Sequence, residues 1–196
     1  MSPPFPPAIL LPVMVVGEAV LMRSRLSGDA SRQADRGSLR LLFVVMATSV
    51  GLAWWAARLF PQARAEALFG LDAAAMTGLY GAGLGLFVAG LALRWYSVIY
   101  LGRLFTYDVA IVADHRVIDS GPYRLVRHPA YTGSLLSFVG LGVYSANVLS
   151  LGVMVTPIAL AFLRRIAIEE AALTAALGSG YSSYAAHTKR LVPFVY

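Results

Sequence analysis

The feature that most restricts the fold of this chain is a run of 34 consecutive uncharged residues, 130–163. As one α-helix the run would be about 51 Å long, whereas the hydrocarbon core of a bilayer is about 30 Å thick. It is therefore too long for one membrane span and slightly short for two spans and a turn. The run predicts a tight helical hairpin that turns near Ser145-Ala146-Asn147, with both helices continuing past the uncharged stretch.

Three further apolar runs precede the hairpin, at 5–22, 41–57 and 73–93. The chain is 58% hydrophobic and 13% charged, whereas a soluble domain has about 25% charged residues. The pattern predicts an all-α integral membrane bundle of five transmembrane helices with a cytoplasmic C-terminal helical segment. We expect one membrane domain over 1–196, divided into two N-terminal spans, 1–75, and a core, 76–196. In the third run, small residues are spaced to let helix backbones approach closely, namely Gly81, Gly85, Ala89 and Gly90.

The distribution of Lys and Arg predicts the orientation of the bundle. Five, four and four of them lie in the segments 23–40, 102–129 and 164–196. The intervening segment 58–75 contains only two such residues, and the segment 145–150 contains none. Because basic loops stay in the cytoplasm, we expect the N-terminus outside and the C-terminus inside. The first run lacks a preceding basic segment and a cleavage site, so we expect a retained span and not a signal peptide.

The hairpin brings two polar segments together at the cytoplasmic face. Arg127 and His128 precede the first helix of the hairpin, and Arg165, Glu169 and Glu170 follow the second. A helix N-terminus favours anions, and residues four apart share a helix face, so these segments predict a polar pocket with charges of both signs. Arginines that only fix topology, and a weak surface ion pair, are the structural alternatives. The aromatic segment 181–194 fits either an interfacial belt or a lid over the pocket.

Several kinds of site are excluded or disfavoured. The chain has no cysteine, so disulfides, thiolate metal sites and cysteine nucleophiles are absent. The three histidines lack metal-ligand spacing, and we expect no metal. The net charge of +6 is scattered over loops without a basic stripe, so we expect no nucleic acid partner. Glu18 and Arg94 lie within or near spans, where they can pair or reach the cytoplasmic face.

The ordered polar motifs resemble those of the isoprenylcysteine carboxyl methyltransferase family, within a broader group that includes phospholipid methyltransferases. The resemblance covers about residues 90 to 196. It rests on these motifs: Gly121-Pro122-Tyr123, Arg127-His128-Pro129-x-Tyr131-x-Gly133, Arg165-x-x-x-Glu169-Glu170, Tyr181-x-x-Tyr184 and Arg190-Leu191-x-Pro193-Phe194.

The resemblance implies a methyltransferase core that uses S-adenosylmethionine, with its cofactor pocket in the C-terminal half. Arg165 would face the methyl acceptor. The residues expected at the cofactor are His115, Arg116, Val117, Ile118, Tyr123, Arg127, His128, Pro129, Ala130, Tyr131, Glu169 and Glu170. These residue types suit S-adenosylmethionine. Arginine or a backbone N–H binds its carboxylate, glutamate binds its ribose diol or ammonium group, and tyrosine packs on its adenine ring. The acceptor would be a lipophilic or lipidated molecule that enters from the membrane lipid. The simplest accepting group would be the carboxylate of an isoprenylcysteine-like or other lipid-like molecule.

Other functions stay open at this point. A phospholipid amine or an alkyl-phenol is an alternative acceptor, and a phenol, thiol or amine would need a base. An NADPH-dependent sterol-type membrane reductase has a similar Arg-His-Pro-x-Tyr-x-Gly segment, but such proteins typically continue with Asp where this chain has Ser134. A non-enzymatic scaffold or transporter subunit would leave the polar residues unexplained.

Overall fold

The computed structural model describes residues 3, 7–23, 37–107 and 116–193. Within these ranges the chain forms helices joined by turns, which confirms the all-α prediction. The helices are α1 (Pro7–Arg23), α2 (Ser38–Leu59), α3 (Ala65–Phe69), α4 (Ala73–Leu101), α5 (Pro129–Tyr144), α6 (Val148–Leu177) and α7 (Ser179–His187). Short 3-10 turns lie at Pro61–Ala63, Gly102–Leu104 and Gly121–Arg124.

The hairpin turns where the length of the uncharged run predicts. Helix α5 ends at Tyr144 and α6 begins at Val148. The Asn147 side chain caps α6 by accepting a hydrogen bond from the backbone N–H of Ser150, 2.9 Å away, and its amide donates to the carbonyl of Phe60 at 3.0 Å. The same side chain therefore starts α6 and ties the hairpin turn to the end of α2.

The prediction of five transmembrane helices is confirmed only in part. Among the described residues, three helices are long and apolar enough to cross a membrane: Ser38–Leu59, Ala73–Leu104 and Val148–Leu177. Helices α1 and α5 have 17 and 16 residues, or about 24 to 26 Å, which is less than the 30 Å hydrocarbon core. The physical reason in α5 is that Pro129 and the hairpin turn bound the helix closely on both sides.

Helices α4 and α5 pack closely through glycines that face each other. A Cβ atom on Gly90 would lie 2.5 Å from the backbone nitrogen of Ser137, and one on Gly133 would lie 2.5 Å from that of Arg94. Gly83 meets the backbone of Tyr144 in the same way. The predicted contact positions Gly81 and Gly85 instead have open space around them. The expectation of a small-residue contact was right for Gly90 and wrong for that pair, because the spacing did not reveal which face of α4 is buried.

The remaining packing places the hairpin at the centre of the bundle. Helix α2 packs mainly on α6, α4 on α5, and α5 on α6. Arg165 lies about 26 Å along α6 from the start of the helix, close to the far boundary of a 30 Å core. The polar half of α6 therefore begins where a membrane would end, next to the segment that precedes α5.

Candidate functional site

A cavity opens beside the polar end of α6, and its volume is about 730 Å³ when the space open to solvent is included. It lies between α6, α7, the end of α4 and the segments before α5. Eight of the residues predicted for the site line it: Arg116, Val117, Ile118, Tyr123, Arg127, His128, Arg165 and Glu169. The sequence-derived site is therefore one place in the fold, although its members lie up to 53 positions apart in the chain.

Arg165 is buried, with 3% of its surface exposed, and its guanidinium is held from three directions. Its Nε donates to the hydroxyl of Tyr131 at 3.0 Å, and one Nη donates to the hydroxyl of Ser38 at 2.7 Å. The other Nη donates to the backbone carbonyl of Tyr107. These three hydrogen bonds orient the guanidinium of Arg165.

Glu169 lies one helical turn after Arg165 and lines the same cavity. One of its carboxylate oxygens accepts a hydrogen bond from the Tyr131 hydroxyl at 2.8 Å. That hydroxyl also accepts from Arg165, so Tyr131 connects the two charged groups. The Tyr131 ring stacks on the His128 ring, with centroids 5.6 Å apart. The first turn of α5 therefore contacts the charged face of α6.

Glu170 lies outside the cavity and holds the C-terminal segment in place. One of its oxygens accepts from Arg127 Nε at 2.7 Å and lies 3.2 Å from the His128 ring nitrogen. The other accepts from Arg190 Nε at 2.9 Å. The backbone N–H groups of Arg127 and His128 also donate to the carbonyls of Lys189 and Arg190. Glu170 is therefore an anchor for the segment after α7, although the sequence placed it at the cofactor.

The other predicted site residues have different positions. Pro129 and Ala130 are buried in the first turn of α5 and do not line the cavity. The carbonyl of Ala130 accepts from an Arg94 Nη at 3.3 Å. Tyr131 borders a second cavity instead of the first. His115 lies outside the described residues.

Other residues that line the first cavity were not predicted as site residues. They are Leu101, Leu104, Phe105, Thr106, Ala172, Leu173, Leu177, Tyr181 and Tyr184. Ala172 and Leu173 follow Glu169 by three and four positions, so helical periodicity could have found them. Tyr181 and Tyr184 belong to the aromatic segment that fitted a lid or a belt, and their place in the cavity wall favours the lid.

Two tyrosines of α7 differ in how their hydroxyl groups are satisfied. Tyr184 donates to the carbonyl of Tyr123 at 2.6 Å. The buried hydroxyl of Tyr181 has no hydrogen-bond partner among the described residues. Burial raises the pKa of Tyr181 above its usual value and that of Tyr184 to about 12. Both hydroxyls therefore stay protonated at neutral pH and can donate hydrogen bonds.

The second cavity lies deeper in the bundle between α1, α2, α4, α5 and α6, and it encloses about 540 Å³ when the space open to solvent is included. Its inner wall is apolar and includes Met14, Leu42, Met46, Leu91, Phe138 and Phe162. Its polar end includes Glu18, Arg94, Tyr107 and Arg165. Arg165, Phe105 and Thr106 line both cavities. The arginine that was predicted to face an acceptor therefore lies where the two cavities meet.

Comparison with known proteins places this geometry among known folds. Residues 83–175 match the model of the isoprenylcysteine carboxyl methyltransferase family. A probable protein-S-isoprenylcysteine O-methyltransferase from Oryza sativa subsp. indica is 35% identical over 115 residues, which are 58% of this chain and 60% of the relative. Protein-S-isoprenylcysteine O-methyltransferase B from Arabidopsis thaliana is 34% identical over 58% of each chain. The chain thus spans about three fifths of the length of these plant relatives.

The fold is also shared with a solved structure. A eukaryotic intramembrane Ras methyltransferase superposes with a TM-score of 0.62 at 24% identity, over 78% of this chain and 52% of the other. The segment that matches the family model includes the hairpin and the polar end of α6. The resemblance carried by the sequence motifs is therefore confirmed, because residues 83–175 match the model of the isoprenylcysteine carboxyl methyltransferase family.

Proposed function

We propose that this protein transfers a methyl group from S-adenosylmethionine to the carboxylate of a lipophilic acceptor. The observation that carries the proposal is that Arg165 lines both cavities. A reaction between a polar cofactor and an apolar acceptor needs two differently lined sites that meet at one point. Arg165 is the charged group at that point, and its hydrogen bonds to Tyr131, Ser38 and Tyr107 hold its guanidinium in place.

The first cavity fits S-adenosylmethionine. Glu169 offers a carboxylate to a ribose diol or an ammonium group, and Arg116 offers positive charge to a carboxylate. The Tyr181 hydroxyl is a buried donor with no acceptor in the described part of the chain, and a polar ligand in this cavity would satisfy it. Tyr123 and Tyr184 add aromatic surface for an adenine ring. The donor set therefore matches the mixed charges and the aromatic group of this cofactor.

The second cavity fits an acceptor with a carboxylate and an apolar chain. Arg165 would hold the carboxylate, and the apolar wall around Phe138 and Phe162 would enclose the chain. When bound, S-adenosylmethionine would supply the methyl group of its sulfonium: the carboxylate oxygen bonds to the methyl carbon as the C–S bond breaks, which gives a methyl ester and S-adenosylhomocysteine without proton transfer. The task of the protein is then to align the two groups, and Arg165 is placed to do so. The relatives named as protein-S-isoprenylcysteine O-methyltransferases support an isoprenylcysteine-like carboxylate as the acceptor.

We further propose that the polar end of α6 faces the cytoplasm and that α1 and α5 cross the membrane together with the three longer helices. The abundance of Lys and Arg in the segments at that end supports this orientation. Membrane thinning around short helices costs little free energy per ångström, so lengths of 16 and 17 residues are compatible with crossing. The N-terminus would then lie outside.

Calorimetry with the purified chain in detergent tests the proposal. We expect S-adenosylhomocysteine to bind with micromolar affinity and NADPH not to bind. Radiolabelled methyl transfer to an N-acetylated S-isoprenylcysteine tests the acceptor. The Arg165→Lys variant keeps the positive charge but loses the bidentate hydrogen bonding of the guanidinium. We expect it to bind S-adenosylhomocysteine normally, while the rate of methyl transfer falls by at least tenfold. Binding of NADPH alone would instead indicate a reductase.

A further inference from the structure

An ion pair that the proposed reaction does not use lies at the polar end of the second cavity. Arg94 of α4 donates to both carboxylate oxygens of Glu18 in α1, through Nε and, at 2.5 Å, through one Nη. Both side chains are largely buried, with 10% and 13% of their surfaces exposed. Removing two charges from water costs free energy that their attraction only partly repays. Charged residues within membrane helices are expensive and usually serve a function.

Tyr107 connects this ion pair to Arg165. Its hydroxyl donates to Glu18 Oε2 at 3.0 Å, and its backbone carbonyl accepts from Arg165. Its ring is 5% exposed and packs edge-on against Phe105, with centroids 5.4 Å apart. The hydroxyl of Tyr107 is thus bound to Glu18 of α1, and its backbone carbonyl binds the guanidinium of Arg165 in α6. The contacts run from Arg94 through Glu18 and Tyr107 to Arg165.

We propose that Glu18 and Tyr107 are positioning residues that fix the orientation of Arg165 toward the acceptor. The role of Arg165 in this inference rests on the proposed function. The contacts of Glu18 and Tyr107 are observed in the structure and do not depend on it. The inference gives α1 a part in the acceptor site, although α1 lies outside the residues 83–175 that match the family model. Tyr107 lines only the second cavity, so the cofactor side should not depend on it.

The Tyr107→Phe variant tests the inference, because it removes one hydroxyl and keeps the ring. We expect kcat/KM for the S-isoprenylcysteine probe to fall about tenfold, since a hydrogen bond to a charged group is lost. The affinity for S-adenosylhomocysteine should not change. Glu18→Gln, which keeps an oxygen for the Tyr107 hydroxyl, should be impaired less than Glu18→Ala.

Tyr80→Phe is the matched control. Tyr80 is also a buried tyrosine, and its hydroxyl also pairs with an arginine, accepting from Arg64 at 3.4 Å. It lies outside both cavities. We expect this variant to keep the acceptor kinetics of the wild type even if its melting temperature falls as much as that of Tyr107→Phe.

A second measurement is independent of methyl transfer. Phenylglyoxal modifies accessible arginines, and the exposed Arg164 provides an internal reference for the buried Arg165. We expect Tyr107→Phe to raise the modification rate of Arg165 relative to Arg164 several-fold, and Tyr80→Phe to leave the ratio unchanged. An unchanged ratio in Tyr107→Phe would overturn the inference. If the wild type transfers no methyl group to the probe, the proposed function fails, and the arginine ratio still decides whether Tyr107 positions Arg165.

Discussion

At the scale of single residues, the adjacent glutamates of α6 have different surroundings. Glu169 faces the first cavity and has one oxygen on the Tyr131 hydroxyl. Glu170 faces away from it and accepts from Arg127 and Arg190. Successive residues on a helix are about 100° apart, so one of the pair can serve a ligand while its neighbour serves the fold.

Exchange of each glutamate for glutamine separates these roles. We expect Glu169→Gln to weaken S-adenosylhomocysteine binding by about 10- to 100-fold, because a charge-assisted hydrogen bond is typically worth about 1.5–3 kcal/mol. Glu170→Gln should change the melting temperature instead, with a loss of several degrees, since two arginines lose their charged partner. Calorimetry and thermal unfolding of both variants provide the comparison. A larger binding defect in Glu170→Gln would contradict the assignment.

The two tyrosines of α7 allow a second prediction. The Tyr181 hydroxyl has no protein partner in the described part of the chain, so Tyr181→Phe should leave thermal stability unchanged or slightly higher. Affinity for S-adenosylhomocysteine should fall by about three- to tenfold, corresponding to one neutral hydrogen bond. Tyr184→Phe is the control, because it leaves the Tyr123 carbonyl unpaired and should lower the melting temperature. Full affinity in Tyr181→Phe would show that its hydroxyl does not contact the ligand.

At the scale of helices, the hairpin was predictable and the choice of packing face was not. The turn at Asn147 follows from the length of an uncharged run, which is a property of the sequence alone. The juxtaposition of Arg127 with α6 follows from that turn. The buried face of α4 depends on its partner helix, so the prediction included Gly81 and Gly85 and missed Gly83. The second cavity combines segments from five helices, and no local pattern marks Tyr107 as part of it.

The contrast between two glycines of α4 gives a prediction at this scale. In Gly90→Ala the new methyl group would lie 2.5 Å from Ser137 and 2.6 Å from the Gly133 carbonyl, so the helices must separate. We expect a loss of about 1–3 kcal/mol in the free energy of unfolding, as for other overpacked positions. Gly85→Ala meets open space and should be neutral or stabilising, since alanine favours helix by up to about 1 kcal/mol. Equal melting temperatures for the two variants would contradict the close packing of α4 on α5.

At the scale of the whole molecule, the two ends of the bundle have different chemistry. The end that contains the α5–α6 turn is joined to the segment after α2 by hydrogen bonds from Asn147 and from the backbone N–H of Ala65. The opposite end contains the first cavity, the anchored C-terminal segment and α7. The apolar second cavity lies between the helices below that end. In the proposed reaction, a lipophilic acceptor would approach Arg165 from the side of the bilayer and a polar cofactor from the side of the water.

The proposed orientation can be tested with single cysteines, because the natural chain contains none. Gln62 and Ser183 are both exposed and lie at opposite ends of the bundle, after α2 and in α7. In intact cells that carry the protein in the plasma membrane, we expect a membrane-impermeant maleimide to label Gln62→Cys and not Ser183→Cys. Permeabilisation should expose Ser183→Cys as well. The reverse pattern would place the first cavity outside, where no intracellular pool of S-adenosylmethionine could reach it, and would contradict both the orientation and the proposed reaction.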